Sequence, residues 1–120
     1  MPKFIRSLSF ACSGIVLAVR SQRHMKIHTA AAVIVCLLGA FLPLTRLEWA
    51  VLLLTISVVF TLEMVNTAIE KTVDLASPGI HPLAKAAKDI AAGAVLVAAC
   101  CAIMIGLLIL GPPLWHFILD

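Results

Sequence analysis

The chain has 120 residues, of which 62% are hydrophobic and only 12% charged, and its mean hydropathy is +1.13. Soluble domains are about half apolar and a quarter charged, and a domain this small buries only about two-thirds of its surface, so the composition excludes a soluble globule and predicts one membrane-embedded domain. The net charge of +3 comes without a basic patch interleaved with aromatic residues, which argues against a nucleic-acid partner.

Residues 3–22 mix Lys3, Arg6 and Arg20 with Phe4, Leu8, Ile15 and Val19. The apolar positions are too interrupted to span and predict an amphipathic helix lying in the interface. A secretory signal is disfavoured, because Ser13 and Gly14 break the apolar stretch and no small-residue cleavage site follows. Ser21 to His28, SQRHMKIH, reads as a polar hinge.

Three apolar runs come next, at about 27–44, 47–70 and 89–110, each near the ~20 residues that cross a bilayer. Pro43 ends the first, and a tight Thr45-Arg46 corner leads to the second, with Trp49 as an interfacial anchor. Ser77-Pro78-Gly79 breaks the second helix, Pro82 opens the third, and Gly111-Pro112-Pro113 is expected to stop it. Lys3, Arg6, Arg20, Arg23 and Lys26 precede the first span, and Lys71, Lys85 and Lys88 lie between the second and third, against Arg46 alone on the other side. That asymmetry predicts a cytoplasmic amino terminus and an external carboxyl terminus. Cys12, Cys36, Cys100 and Cys101 have no metal-ligand spacing and read as small hydrophobes.

Polar chemistry concentrates in Leu62 to Leu75, LEMVNTAIEKTVDL. On a helix, Glu63, Asn66, Thr67 and Glu70 share one face, and Asp74 extends the stripe. Glu63 follows an apolar run whose only other charge is Glu48 at its far end. A carboxylate in such a place is either held by a neighbouring helix or functional, and the functional reading leads: a group poised to take a proton. Asn66 and Glu70 line up with it, and oxygen-bearing side chains on one face, completed by waters and phosphates, suit Mg²⁺. Lys85, Lys88 and Asp89 open the third span, where a helix amino terminus and a lysine together attract phosphate. His24 and His28 stand at i, i+4 without an obvious third ligand, so an interfacial or phosphate-facing role is preferred to a metal site. There is no G-x-x-x-x-G-K-[ST] phosphate loop.

LEMVNTAIEKTVDL followed by HPLAKAAKDIAAGAVLVAA resembles the prokaryotic diacylglycerol kinase family, nearest its Gram-positive undecaprenol kinase branch, in register from about Lys3 to Leu110. The resemblance implies an all-α homotrimer in the bacterial cytoplasmic membrane, each subunit a surface helix plus three transmembrane helices. It further implies Mg-ATP-dependent phosphorylation of a membrane lipid alcohol, undecaprenol first and diacylglycerol as the alternative, at sites shared between subunits. By position, Glu63 resembles the general base, Asn66 its polar partner and Glu70 a metal carboxylate close to the nucleotide. Lys88 and Asp89 resemble nucleotide-phosphate contacts, and Lys3 stands where the family has an arginine. The hinge departs from the family's T-E-R-N-M-R-I-H: Gln22 replaces a metal-binding glutamate, leaving a neutral and weaker ligand. A reading of another class, a non-enzymatic membrane subunit using Glu63 as an ion or proton site, uses the same residues.

Overall fold

The computed structural model describes residues 2–120. Four helices follow one another, α1 (Lys3–Ser21), α2 (Arg23–Phe41), α3 (Arg46–Ala76) and α4 (Pro82–Leu119), with no strand among the described residues. Each is long and apolar enough to cross a membrane, and the chain is an all-α integral membrane protein. On α1, Lys3, Arg6, Ser13 and Arg20 share one side while Phe4, Leu8, Ile15 and Val19 share the other.

The hinge expected over Ser21 to His28 contracts to one residue. Gln22 alone is extended (φ −114°, ψ 122°), its N–H donating to the Ala18 carbonyl and its own carbonyl accepting from the Lys26 N–H. The segment is polar, but it contains neither Gly nor Pro, so nothing prevents helix up to Ser21 and again from Arg23.

Helix α2 stops at Phe41 because Pro43 drives the residue before it out of the helical region, and Leu42 is extended accordingly. The corner that follows is tightly built. The Thr45 hydroxyl accepts from the Glu48 N–H at 3.1 Å, and the Glu48 carboxylate accepts from the Thr45 N–H at 3.1 Å, a reciprocal cap worth about 1 kcal/mol. One turn on, Trp49 lies across Gly39, where an added Cβ would stand 2.8 Å from the indole ring. Gly39 is therefore the seat of Trp49.

Helix α3 continues beyond the apolar span to Ala76 and ends where expected, at Ser77-Pro78. Helix α4 starts as expected at Pro82, behind His81, whose Nδ1 accepts from the Leu83 N–H at 3.1 Å. It does not stop at Gly111-Pro112-Pro113 but continues to Leu119. Two prolines remove two N–H donors, yet their fixed φ is already helical, and Gly111 takes no left-handed conformation that would turn the chain away. The 38 residues make about 57 Å at 1.5 Å each, matching the 58 Å long axis of the molecule.

The main packing is between α3 and α4. The buried face of α3 begins apolar, at Leu52 and Val59, and turns polar at Glu63, Asn66 and Thr67; Ala91, Val95 and Leu110 of α4 are also buried, with Ala18 of α1 and Met25 of α2. Phe41, Leu54, Val97 and Leu107 point outward, the reverse of a soluble protein and the arrangement that hydrocarbon solvates.

Candidate functional site

The groove between α3 and α4 carries two clefts, stacked end to end. Glu70 to Asp74 on α3, and Lys88 to Ala92 on α4, are each four residues and hence about 6 Å along the axis. The inner cleft ends at Glu70 and Ala92, and the outer cleft begins at Asp74 and Lys88.

The inner cleft holds about 560 Å³ and brings together Gln22, His28, Glu63, Asn66 and Glu70 from three parts of the chain. Arg23 and His24 border it, and α4 closes it with an apolar wall of Ala92, Val95, Leu96 and Ala99. Glu63 is 2% exposed. The Thr67 hydroxyl donates to the Glu63 backbone carbonyl at 2.9 Å, tying the side chain's own turn of helix. Asn66 Nδ2 donates to Glu70 Oε1 at 3.4 Å, which turns the Asn66 oxygen the other way. Glu63 Oε2 and Asn66 Oδ1 are buried without a hydrogen-bond partner among the described residues. Such groups cost about 1–3 kcal/mol each when left unsatisfied. Across the cleft, His28 Nε2 lies 3.6 Å from Glu63 Oε2, too far for a hydrogen bond and close enough for charge to act.

The outer cleft, of about 360 Å³, contains Lys88 and Asp89 together with Asp74, His81 and Lys85. Lys88 is ion-paired with Asp74, and Lys85 Nζ donates to Asp89 Oδ2 at 2.6 Å. That hydrogen bond, and secondarily the carboxylate's charge, hold the Lys85 ammonium protonated above the usual lysine range.

Of the residues singled out from sequence, Gln22, Glu63, Asn66 and Glu70 thus meet in one cleft and Lys88 and Asp89 in the next. Lys3 lies on the first turn of α1, exposed, and lines neither. Sequence reasoning placed Asp74 at the end of the stripe and missed its bond to Lys88, and it left His28 unassigned between an interface and a phosphate. Both contacts join different helices, where spacing along one helix carries no signal.

No group of three or more His, Cys, Asp or Glu side chains that could hold a metal ion occurs among the described residues. Mg²⁺ does not require one, since it is commonly bound through one or two carboxylates with substrate phosphates and water. The Glu70 carboxylate, with the Gln22 amide oxygen on the same cleft, fits that manner of binding.

The sequence profile of the family described as prokaryotic diacylglycerol kinase matches residues 9–110, a stretch that holds every site residue above except Lys3. The chain is 47% identical over 112 residues to undecaprenol kinase of Bacillus subtilis, covering 93% of this chain and 91% of that protein. It is 44% identical over 114 residues to a diacylglycerol kinase of Synechocystis sp., covering 94% of this chain and 65% of that one. A diacylglycerol kinase of Helicobacter pylori is 30% identical over 95 residues, covering 79% of this chain and 74% of its own.

Proposed function

The chain belongs to the prokaryotic diacylglycerol kinase family, and we propose that it transfers the terminal phosphoryl group of ATP to undecaprenol, giving undecaprenyl phosphate. The observation that carries this reading is the stacking of the two clefts: a buried carboxylate with an apolar wall below, exposed lysines above, one helical turn apart. Phosphoryl transfer asks mainly for positioning and charge neutralisation. The outer cleft supplies these to the nucleotide, with Lys88 exchanging Asp74 for a phosphate oxygen and the Asp89–Lys85 pair holding the rim. In the inner cleft Glu63 takes the proton from the lipid hydroxyl, Asn66 keeps the Glu70 carboxylate turned toward the boundary between the clefts, and the α4 wall receives the lipid chain. Mg²⁺, held through Glu70 and Gln22, would neutralise charge on the transferring phosphate.

Diacylglycerol is the second reading, because the Synechocystis and Helicobacter relatives carry that name. Purified protein given labelled ATP, Mg²⁺ and either lipid in one mixed micelle decides between them. Undecaprenol is expected to win by about ten-fold in kcat/KM, equivalent to about 1.4 kcal/mol of differential transition-state binding; a diacylglycerol preference overturns the assignment. Kinase family membership displaces the non-enzymatic ion pathway.

The arrangement we propose is a single domain in the bacterial cytoplasmic membrane, with α1 along the surface, α2 to α4 spanning, and the amino terminus cytoplasmic. The two-sided character of α1 and the basic residues around Gln22 and in 71–88 support it. A homotrimer accords with Lys3, which lines neither cleft of its own subunit and would serve a neighbour's. In a cysteine-free background, Gly79→Cys should label only from the cytoplasmic side and Thr45→Cys only from outside.

A further inference from the structure

We propose that His28 is the positioning partner of Glu63 and the exit by which the base discharges its proton. This rests on the reading of Glu63 as the base that accepts the lipid hydroxyl's proton. Glu63 is 2% exposed, so a proton taken by its carboxylate has little solvent of its own to leave to. Its Oε2 is the oxygen without a hydrogen-bond partner, and His28 Nε2 stands 3.6 Å from that same atom. The His28 side chain is 22% exposed and lines the cleft, so one ring nitrogen addresses the carboxylate while the ring reaches the open space. Other charged or titratable groups at the cleft are Arg23 and His24 on the histidine's own helix and Glu70 on α3, while α4 faces it with apolar side chains only.

The step balances. As the lipid oxygen attacks phosphorus, its O–H bond breaks and the proton passes to Glu63 Oε2. The phosphorus–oxygen bond to the leaving diphosphate breaks with its electron pair staying on the diphosphate. The His28 ring then closes the 3.6 Å gap to Glu63 Oε2 and takes the proton on the lone pair of Nε2, the carboxylate is restored, and the imidazolium releases a proton from Nδ1 to solvent in the cleft. A neutral imidazole and a free carboxylate remain, ready for the next turnover.

The experiment measures undecaprenol phosphorylation by full-length wild type, His28→Gln and Glu63→Gln in mixed micelles, each with and without added imidazole. Gln at position 28 can still hydrogen-bond but cannot carry the proton. For His28→Gln we expect kcat to fall about ten- to hundred-fold, less than the ~10²–10⁴-fold of a lost base, with KM for ATP and for lipid nearly unchanged. Imidazole should restore kcat saturably in this variant and do nothing for Glu63→Gln. Unchanged kcat in His28→Gln, a loss carried in KM, or a loss that imidazole does not restore each overturns the inference. An active Glu63→Gln sinks the base reading itself. An inactive Glu63→Gln beside an unimpaired His28→Gln sinks only the role of His28.

Discussion

In the inner cleft the Glu63 carboxylate is 2% exposed and one of its oxygens has no hydrogen-bond partner. One turn away along the same two helices, Lys85, Lys88, Asp74 and Asp89 have side chains 39% to 77% exposed, and every one is paired. A buried unsatisfied carboxylate is expensive and survives in a small protein only where something is gained from it. Surface ion pairs are worth about 0–1 kcal/mol, so a phosphate can displace them at little cost. The same groove thus keeps one carboxylate apart, without a hydrogen bond on one oxygen, and its other charged groups paired but exchangeable.

The sharpest test of that contrast is Glu63→Gln. Removing a buried charge relieves desolvation, so the variant should fold, while kcat drops about 10²–10⁴-fold; a folded oligomer with near-normal turnover would make Glu63 structural and erase the difference between the clefts. Next in size, Lys88→Met removes a hydrogen bond to a charged group, worth about 1.5–3 kcal/mol. KM for ATP should then rise about ten- to hundred-fold while KM for lipid stays put. Movement of the lipid KM instead would mean that the two clefts do not divide the substrates.

A smaller effect is expected where the clefts meet. Gln22→Glu adds a hard anionic oxygen beside Glu70, and the free Mg²⁺ giving half-maximal rate should fall a few-fold; an unchanged midpoint would leave the metal to Glu70 without Gln22. Asp74→Asn comes last, because its pair with Lys88 is half-exposed. Freed of its partner, Lys88 should bind ATP more tightly, by at most about five-fold, the equivalent of ~1 kcal/mol. A weaker KM would show that Asp74 positions Lys88 rather than competing for it.

The helices and the α3 stripe were legible in the sequence because both follow from periodicity within one segment. Glu63, Asn66 and Glu70 do share a face of α3, and Pro82 does open α4. Several boundaries were not legible. The polar segment around Gln22 looked like a hinge because polarity was taken for irregularity, whereas only one residue leaves the helix. Gly111-Pro112-Pro113 looked like a stop, but a stop needs a competing backbone conformation, and prolines in a helix of apolar surroundings can be carried along. The Thr45-x-x-Glu48 pattern was a readable capping signal that the tight corner at Thr45-Arg46 only hinted at. The cross-helix pairs, His28 with Glu63 and Lys88 with Asp74, depend on how three helices rotate against one another, which no single-helix pattern encodes.

The corner between α2 and α3 also bears on how the chain enters the bilayer during synthesis. With the reciprocal cap at Thr45 and Trp49 seated on Gly39, these two helices are closed into a hairpin by contacts no more than ten residues apart. A lone helix bearing a carboxylate is penalised on insertion, by about 2.5–3.5 kcal/mol for a charge at its centre and less toward its ends. Entering as a hairpin, α3 would bring Glu63 in with His28 already opposite, so the carboxyl group meets hydrocarbon beside a polar partner. Helix α4 carries no Asp, Glu, Lys or Arg from Ile90 to Leu119 and can insert without such help, but it is made last. Until it arrives both clefts lack their second wall, so a ribosome releasing this chain early would leave in the membrane a hairpin that holds Glu63 and His28 but no groove beside them.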